Sequence, residues 1–74
     1  MSFDYRKLKG RIVEKFGSQT AFASAMGISA KTMSDKLTNK VFFSQGEINI
    51  AMRLLGIKAS ELNAYFFKEN VQNV

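Results

Sequence analysis

Cysteine, histidine and proline are all absent from this 74-residue sequence. Without cysteine there is no disulfide and no thiolate ligand for a structural metal. Without histidine the commonest general base and the commonest metal ligand are missing. A serine nucleophile would then need a lysine base, and no such pair stands at a telling spacing. The six acidic residues are scattered, so neither an acid–base pair nor a carboxylate metal site is suggested. The chain therefore reads as a non-enzyme with no metal, no cofactor and no small-molecule ligand. The lack of proline fits helices joined by short turns. No apolar run approaches the ~20 residues of a membrane span. The opening "MSFDYRKLKG" has no apolar stretch and no small-residue cleavage site, so it is not a secretory signal. A cytoplasmic protein that does not engage membranes is the expectation.

What is present is a normal apolar fraction, 46%, in a chain long enough for one small core. The formal charge of +5 is unevenly spread. Residues 1–40 carry eight Lys/Arg against three acids, whereas residues 41–74 carry three of each. All the excess positive charge lies in the first half, which suggests a polyanionic partner there.

Period and punctuation predict five helices. The first runs from about Asp4 to Phe16, with Tyr5, Leu8, Ile12 and Phe16 on one face, Asp4 as a cap and Gly17 as the stop. Gly10 interrupts it and leaves room for a close neighbour. The second runs from Gln19 to Met26, capped by Ser18, with Phe22, Ala23 and Met26 inward and Gly27 making the exit. Ile28 is placed to plug the corner. The third spans about Ala30 to Thr38 behind the cap Ser29; Ala30, Met33 and Leu37 form its narrow apolar stripe. The fourth spans Gln45 to Leu55 and begins with Ser44-Gln-Gly-Glu47, a capping box, with Phe43 and Ile48 spaced as a hydrophobic staple. The fifth runs from about Ser60 to Phe67; residues 68–74 could extend it, form a short strand or fray.

Two short helices around Gly27, the second with a broad polar face, read as a helix-turn-helix. Its spacing is Ala23, Gly27, Met33: a small residue at the crossing, a glycine at the turn, an apolar anchor on the second helix. A plain helical hairpin uses the same three positions. The polar outer face of the third helix, the basic first half, and Asn39 and Lys40 just beyond that helix favour a DNA-reading element, in which the second helix lies in the major groove.

The segment "GSQTAFASAMGISAKTMSDKL" resembles the helix-turn-helix of the Cro and phage-repressor (XRE) family, and "FFSQGEINIAMRLLGI" is similar to that family's fourth helix. The closing "YFF" is similar to short phage-type regulators. The resemblance covers roughly residues 4–67. It implies an all-α, compact five-helix lambda-repressor-like domain that binds operator DNA, usually as a dimer. Carried over by position, Gln19 implies a phosphate contact, Ser29 the cap of the reading helix, and Ala30, Lys31, Ser34 and Asp35 its base-facing side. This chain departs from the family in having Lys36 where an apolar residue is common, and Ala30 and Lys31 where glutamines are common.

On chemistry, Lys31 suits guanine or a phosphate, Ala30 a thymine methyl, and Ser34 and Thr32 either bases or phosphates. Asp35 could accept from a cytosine amino group or pair with Lys31 one turn away. Ser18 and Gln19 stand at a helix N-terminus that favours an anion. Lys36, Asn39 and Lys40 are expected to hold phosphates. Roughly four to six phosphate contacts would make log K fall with log salt at a slope of roughly −4 to −5 per subunit. Tyr65, Phe66 and Phe67 exceed what one short helix buries on one side: part of that surface belongs to the core and the remainder is a candidate homodimer seam, the alternative being that all three are buried within the monomer. The alternative function is a protein-interaction module, such as an antitoxin or anti-repressor reusing the fold.

Overall fold

The spacing of Leu8 and Ile12 builds α1, Arg6–Phe16, around two fully buried side chains. In the computed structural model, which describes residues 2–70, it is followed by α2, Gln19–Met26; α3, Ala30–Leu37; α4, Gln45–Leu55; a single 3₁₀ turn at Ala59–Glu61; and α5, Leu62–Phe66. The architecture is all-α, with five helices around one core, as expected. Strand-like pairing among the described residues is one antiparallel bridge, Phe3 to Glu69. Here the Asp4 N–H donates to the Lys68 carbonyl at 2.6 Å and the Asn70 N–H to the Ser2 carbonyl at 3.1 Å. Lys68–Asn70 thus does not extend the last helix, and its pairing stops at this isolated bridge; residues 71–74 lie outside the described residues.

The helix ends follow local chemistry closely. Ser18, Ser29 and Ser44 each accept the backbone N–H of the third residue on, and the Ser44–Glu47 capping box forms in both directions. Gly27 turns left-handed at φ 77°, so the Ile28 N–H reaches back to the Ala23 carbonyl at 3.0 Å. That Schellman turn sets the angle between α2 and α3. Ala23 is buried at their crossing and Ile28 packs against the core, both as read from the sequence.

Two features of α1 differ. Its first helical residue is Arg6, and Asp4 lies outside it. Asp4 is instead buried, accepting from the Arg6 N–H at 3.0 Å and from the Arg6 guanidinium at 2.8 Å. Those side-chain and backbone hydrogen bonds from Arg6 hold its carboxyl far below the usual carboxylate range. The fold therefore favours ionised Asp4. Its contribution is complete above the usual value of 3.8 and is lost as pH falls below it. Asp4→Asn should narrow the gap between urea midpoints measured at pH 7 and pH 3; an unchanged gap would remove Asp4 from the acid limb.

Gly10, the second difference, admits no close neighbour: a Cβ there would meet nothing within 4 Å. The glycine only weakens the exposed middle of α1. Gly10→Ala should stabilise by about 0.5–1 kcal/mol, seen as a rise of several degrees in a thermal melt.

Candidate interaction surface

The outer side of α3 begins at Ser29, whose hydroxyl accepts the Thr32 N–H at 3.0 Å and donates to the Thr32 hydroxyl at 2.8 Å. Thr32 is thereby partly committed to the cap. Ala30, Lys31 and Ser34 are exposed, and the Lys31 side chain is 84% accessible. Asp35 is paired with Lys31 at 3.0 Å, with the Lys40 ammonium 4.0 Å from its other oxygen. Of the two roles left open for Asp35, the structure contains the ion pair. Ser18 and Gln19 are exposed at the start of α2. Thr38, not singled out in the sequence, extends the face and donates its hydroxyl to the Ser34 carbonyl at 2.8 Å.

Ala30 is not part of the inward stripe. The buried positions of α3 are Met33, Lys36 and Leu37. Lys36 was expected to hold a phosphate, yet it is only 6% exposed. Position 36 is three residues past Met33, hence on the same face. Its ammonium lies 2.9 Å from Glu47 Oε1, donates to the Phe42 carbonyl at 3.2 Å, and sits 5.8 Å from the centroid of the Phe43 ring. Burial raises the Glu47 pKa, but the Ser44 N–H and the Lys36 ammonium outweigh it, and the carboxyl stays below its usual value. Lys36 therefore cannot reach a phosphate from this position.

Asn39 is also occupied. It closes α3 in the left-handed region, φ 69°, which asparagine tolerates better than most residues. The Lys40 N–H returns to the Asp35 carbonyl at 2.8 Å and the Asn39 N–H to the Lys36 carbonyl at 3.3 Å, completing a Schellman turn. The side-chain amide then accepts from the Phe3 N–H at 2.8 Å and donates to the Phe3 carbonyl at 2.9 Å. A glycine would make the turn but not this clamp on the N-terminal segment. Lys40 remains exposed. The segment 18–40 thus presents Lys31 and Lys40 against Asp35, with no charged residue in α2. Two cations and one carboxylate make a much weaker footprint for a polyanion than the formal charge of the first half implies.

The rest of that charge sits on α1 and is partly used within the fold. Arg6 holds Asp4, Lys7 lies 4.8 Å over the Tyr65 ring, and Arg11 donates to the Leu55 carbonyl at 2.9 Å and pairs with Glu14.

Tyr65 and Phe66 are buried within the chain, so neither forms a dimer seam. One turns toward Lys7 on α1, the other stacks edge-on against Phe43 at 5.5 Å. Adjacent helical residues point about 100° apart, and α5 is short enough to be covered on both sides. Phe67 alone stays exposed, at 44%. It joins a surface the sequence reading overlooked. Phe42, in the loop after α3, is 64% exposed and meets Phe3 edge-on at 6.0 Å; Phe3 in turn meets Phe67 at 5.8 Å. Beneath them is a cleft of about 240 Å³ lined, among the described residues, by Phe3, Tyr5, Phe42, Phe43, Ile48, Phe66 and Phe67. A hollow of about 390 Å³ continues past Phe43, Ile48 and Phe67 to Leu62, Gln45 and Asn49. The available signal was "VFFS": a hydrophobic staple uses one aromatic before the cap Ser44, and this loop supplies two.

Residues 1–69 match the family model described as "Protein of unknown function (DUF739)". The chain belongs to the DUF739 family. No curated protein matches this DUF739 chain. Among solved structures it is similar to the solution structure of the modulator of repression (MOR) of the temperate bacteriophage TP901-1 from Lactococcus lactis. The identity is 43%, the match covers 97% of each chain, and the TM-score is 0.81. The DUF739 chain is thus similar to a small helical phage regulator along nearly its whole length. No helix among its described residues is long and apolar enough to cross a membrane.

Proposed function

We propose that this DUF739 protein is a phage regulator that modulates repression by binding a protein of the repression machinery, and that it works by binding rather than by catalysis. The observation that carries this reading is Phe42, largely exposed over an aromatic, mainly apolar cleft in the loop between α3 and α4. Exposed contiguous aromatic surface of this kind marks partner sites, and burying such a ring supplies much of an interface's energy. The name of the similar phage protein, a modulator of repression, supports the same reading.

A second reading is direct, sequence-specific binding of double-stranded DNA by α3. The exposed Ala30, Lys31 and Ser34 on a helix set by the Gly27 turn favour it. The charge balance weighs against it as the main activity. With Lys36 buried and Asn39 engaged, Lys31 and Lys40 are the cations left on that face, so its contacts give a salt slope of about −2 per subunit. Neither reading needs a homodimer through Tyr65 and Phe66.

The deciding experiment is a mobility shift with a temperate-phage repressor on its operator. The chain alone should give no salt-steep shift, yet should alter the repressor–operator complex. Phe42→Ala should abolish that effect, and the double variant Lys31→Ala, Ser34→Ala should retain it. Recovery of a palindromic motif by the chain alone from random duplexes, lost in the double variant, would replace this proposal with the DNA-binding reading.

A further inference from the structure

Burying a lysine is costly, and an apolar side chain would fill the inward position at residue 36 at lower cost. The ammonium must therefore do something an apolar group cannot. Its surroundings show what. Among the described residues, the one hydrogen bond to the backbone of Phe42 or Phe43 comes from Lys36 Nζ, to the Phe42 carbonyl. The same ammonium is held by Glu47 Oε1, and that oxygen also accepts the Ser44 N–H at 2.8 Å within the capping box of α4. The Phe42 carbonyl is thus tied at once to the last turn of α3 and to the first turn of α4.

We propose that Lys36 is a positioning residue for Phe42: by pinning the Phe42 carbonyl against Glu47 it aims the exposed ring over Phe3 at the mouth of the aromatic cleft. Without this tie, residues 42 and 43 have no other backbone hydrogen bond among the described residues, and edge contact with Phe3 is left to hold the Phe42 ring. The tie also links the outer face of α3 to the cleft. A shift in the last turn of α3 is transmitted to Phe42 through one ammonium. This inference rests on the preceding reading only in treating Phe42 as a contact residue, because the placement of the ring can be measured without any partner.

The test compares Lys36→Met, which keeps the stem and removes the donor, with Lys36→Arg, which keeps donors, by NMR of the full chain. In Lys36→Met the Phe3–Phe42 ring cross-peaks should weaken several-fold. Fast motion of the Phe42 and Phe43 amides should rise, while the buried Phe16–Phe22 contact is unchanged. Lys36→Arg should restore the Phe3–Phe42 cross-peaks. A merely structural lysine would leave the ring contacts intact or loosen both aromatic pairs together, and either result overturns the proposal. Should Lys36→Met fail to fold, the wild-type chain decides. The Lys36 ammonium protons should exchange with water far more slowly than those of Lys31, with cross-peaks to Phe42; exchange as fast as Lys31 would overturn the proposal. If the ring is released in Lys36→Met but the effect on the repressor–operator complex persists, the positioning role stands and the proposed partner surface fails.

Discussion

Phe22→Ala is expected to cost about 3–5 kcal/mol, the range for removing a fully buried phenylalanine. Phe22 has no exposed surface, lies at the buried centre of α2 and stacks on Phe16 at 5.2 Å. The cost has two parts, lost transfer energy and the void left behind. The void closes poorly because α1, α3 and α4 are each held by their own buried residues, Leu8, Met33 and Leu55. A chain of this length holds only about 4–11 kcal/mol in total. The variant should therefore sit near the edge of folding, with a melting temperature lower by something of order 20 °C. Urea titration followed by circular dichroism is the check. A loss below about 1 kcal/mol would mean that the core repacks around the missing ring.

Phe42→Ala should behave in the opposite way. The ring is mostly exposed and rests on Phe3 at the surface, so stability should change by less than about 1 kcal/mol. Its effect should appear in binding. If Phe42 is the anchor of a protein interface, truncation costs about 2 kcal/mol or more, which is roughly a 30-fold loss of affinity. Titration calorimetry against the isolated repressor, beside a thermal melt of the variant, separates the two quantities. A variant as stable as the parent that binds equally well would show that the cleft is not the contact surface. Because the two phenylalanines are chemically identical and differ only in where the fold puts them, the pair isolates burial from composition.

Most of the framework was legible because it depends on neighbours in sequence. Ser18, Ser29 and Ser44 cap the next turn, and Gly17, Gly27 and Gly56 end helices in the left-handed region. Phe43 and Ile48 were recognisable as a staple, and both line the cleft. The exposure of Lys31 and Ser34, and the Lys31–Asp35 pair as one of two options, were also within reach of helical spacing.

Where the structure differs from the sequence expectation, the cause is packing between segments distant in the chain. Lys36 was read by its charge and therefore placed in solvent. Its position, one turn beyond Met33, required it to face inward, and only the arrival of Glu47 from α4 makes that tolerable. Asn39 was read as a free polar group, although the backbone turn and Phe3 together use its whole amide. Tyr65 and Phe66 were counted as surplus because what covers them lies far away in the chain, on α1 and in the loop before α4. For Phe42 the second aromatic in "VFFS" is a local signal of surplus, but only packing decides which of the two rings stays exposed.

The amino-acid order by itself determined the five helices, the serine caps of α2, α3 and α4 and the turn at Gly27, since each depends on hydrogen bonds and periodicities spanning a few residues. Which cations remain free, which aromatics stay uncovered, and where Phe42 points were decided only when α4, α5 and the N-terminal segment closed on α3. Burial and ion pairing are properties of the partner that arrives, and that partner is set by packing across the molecule.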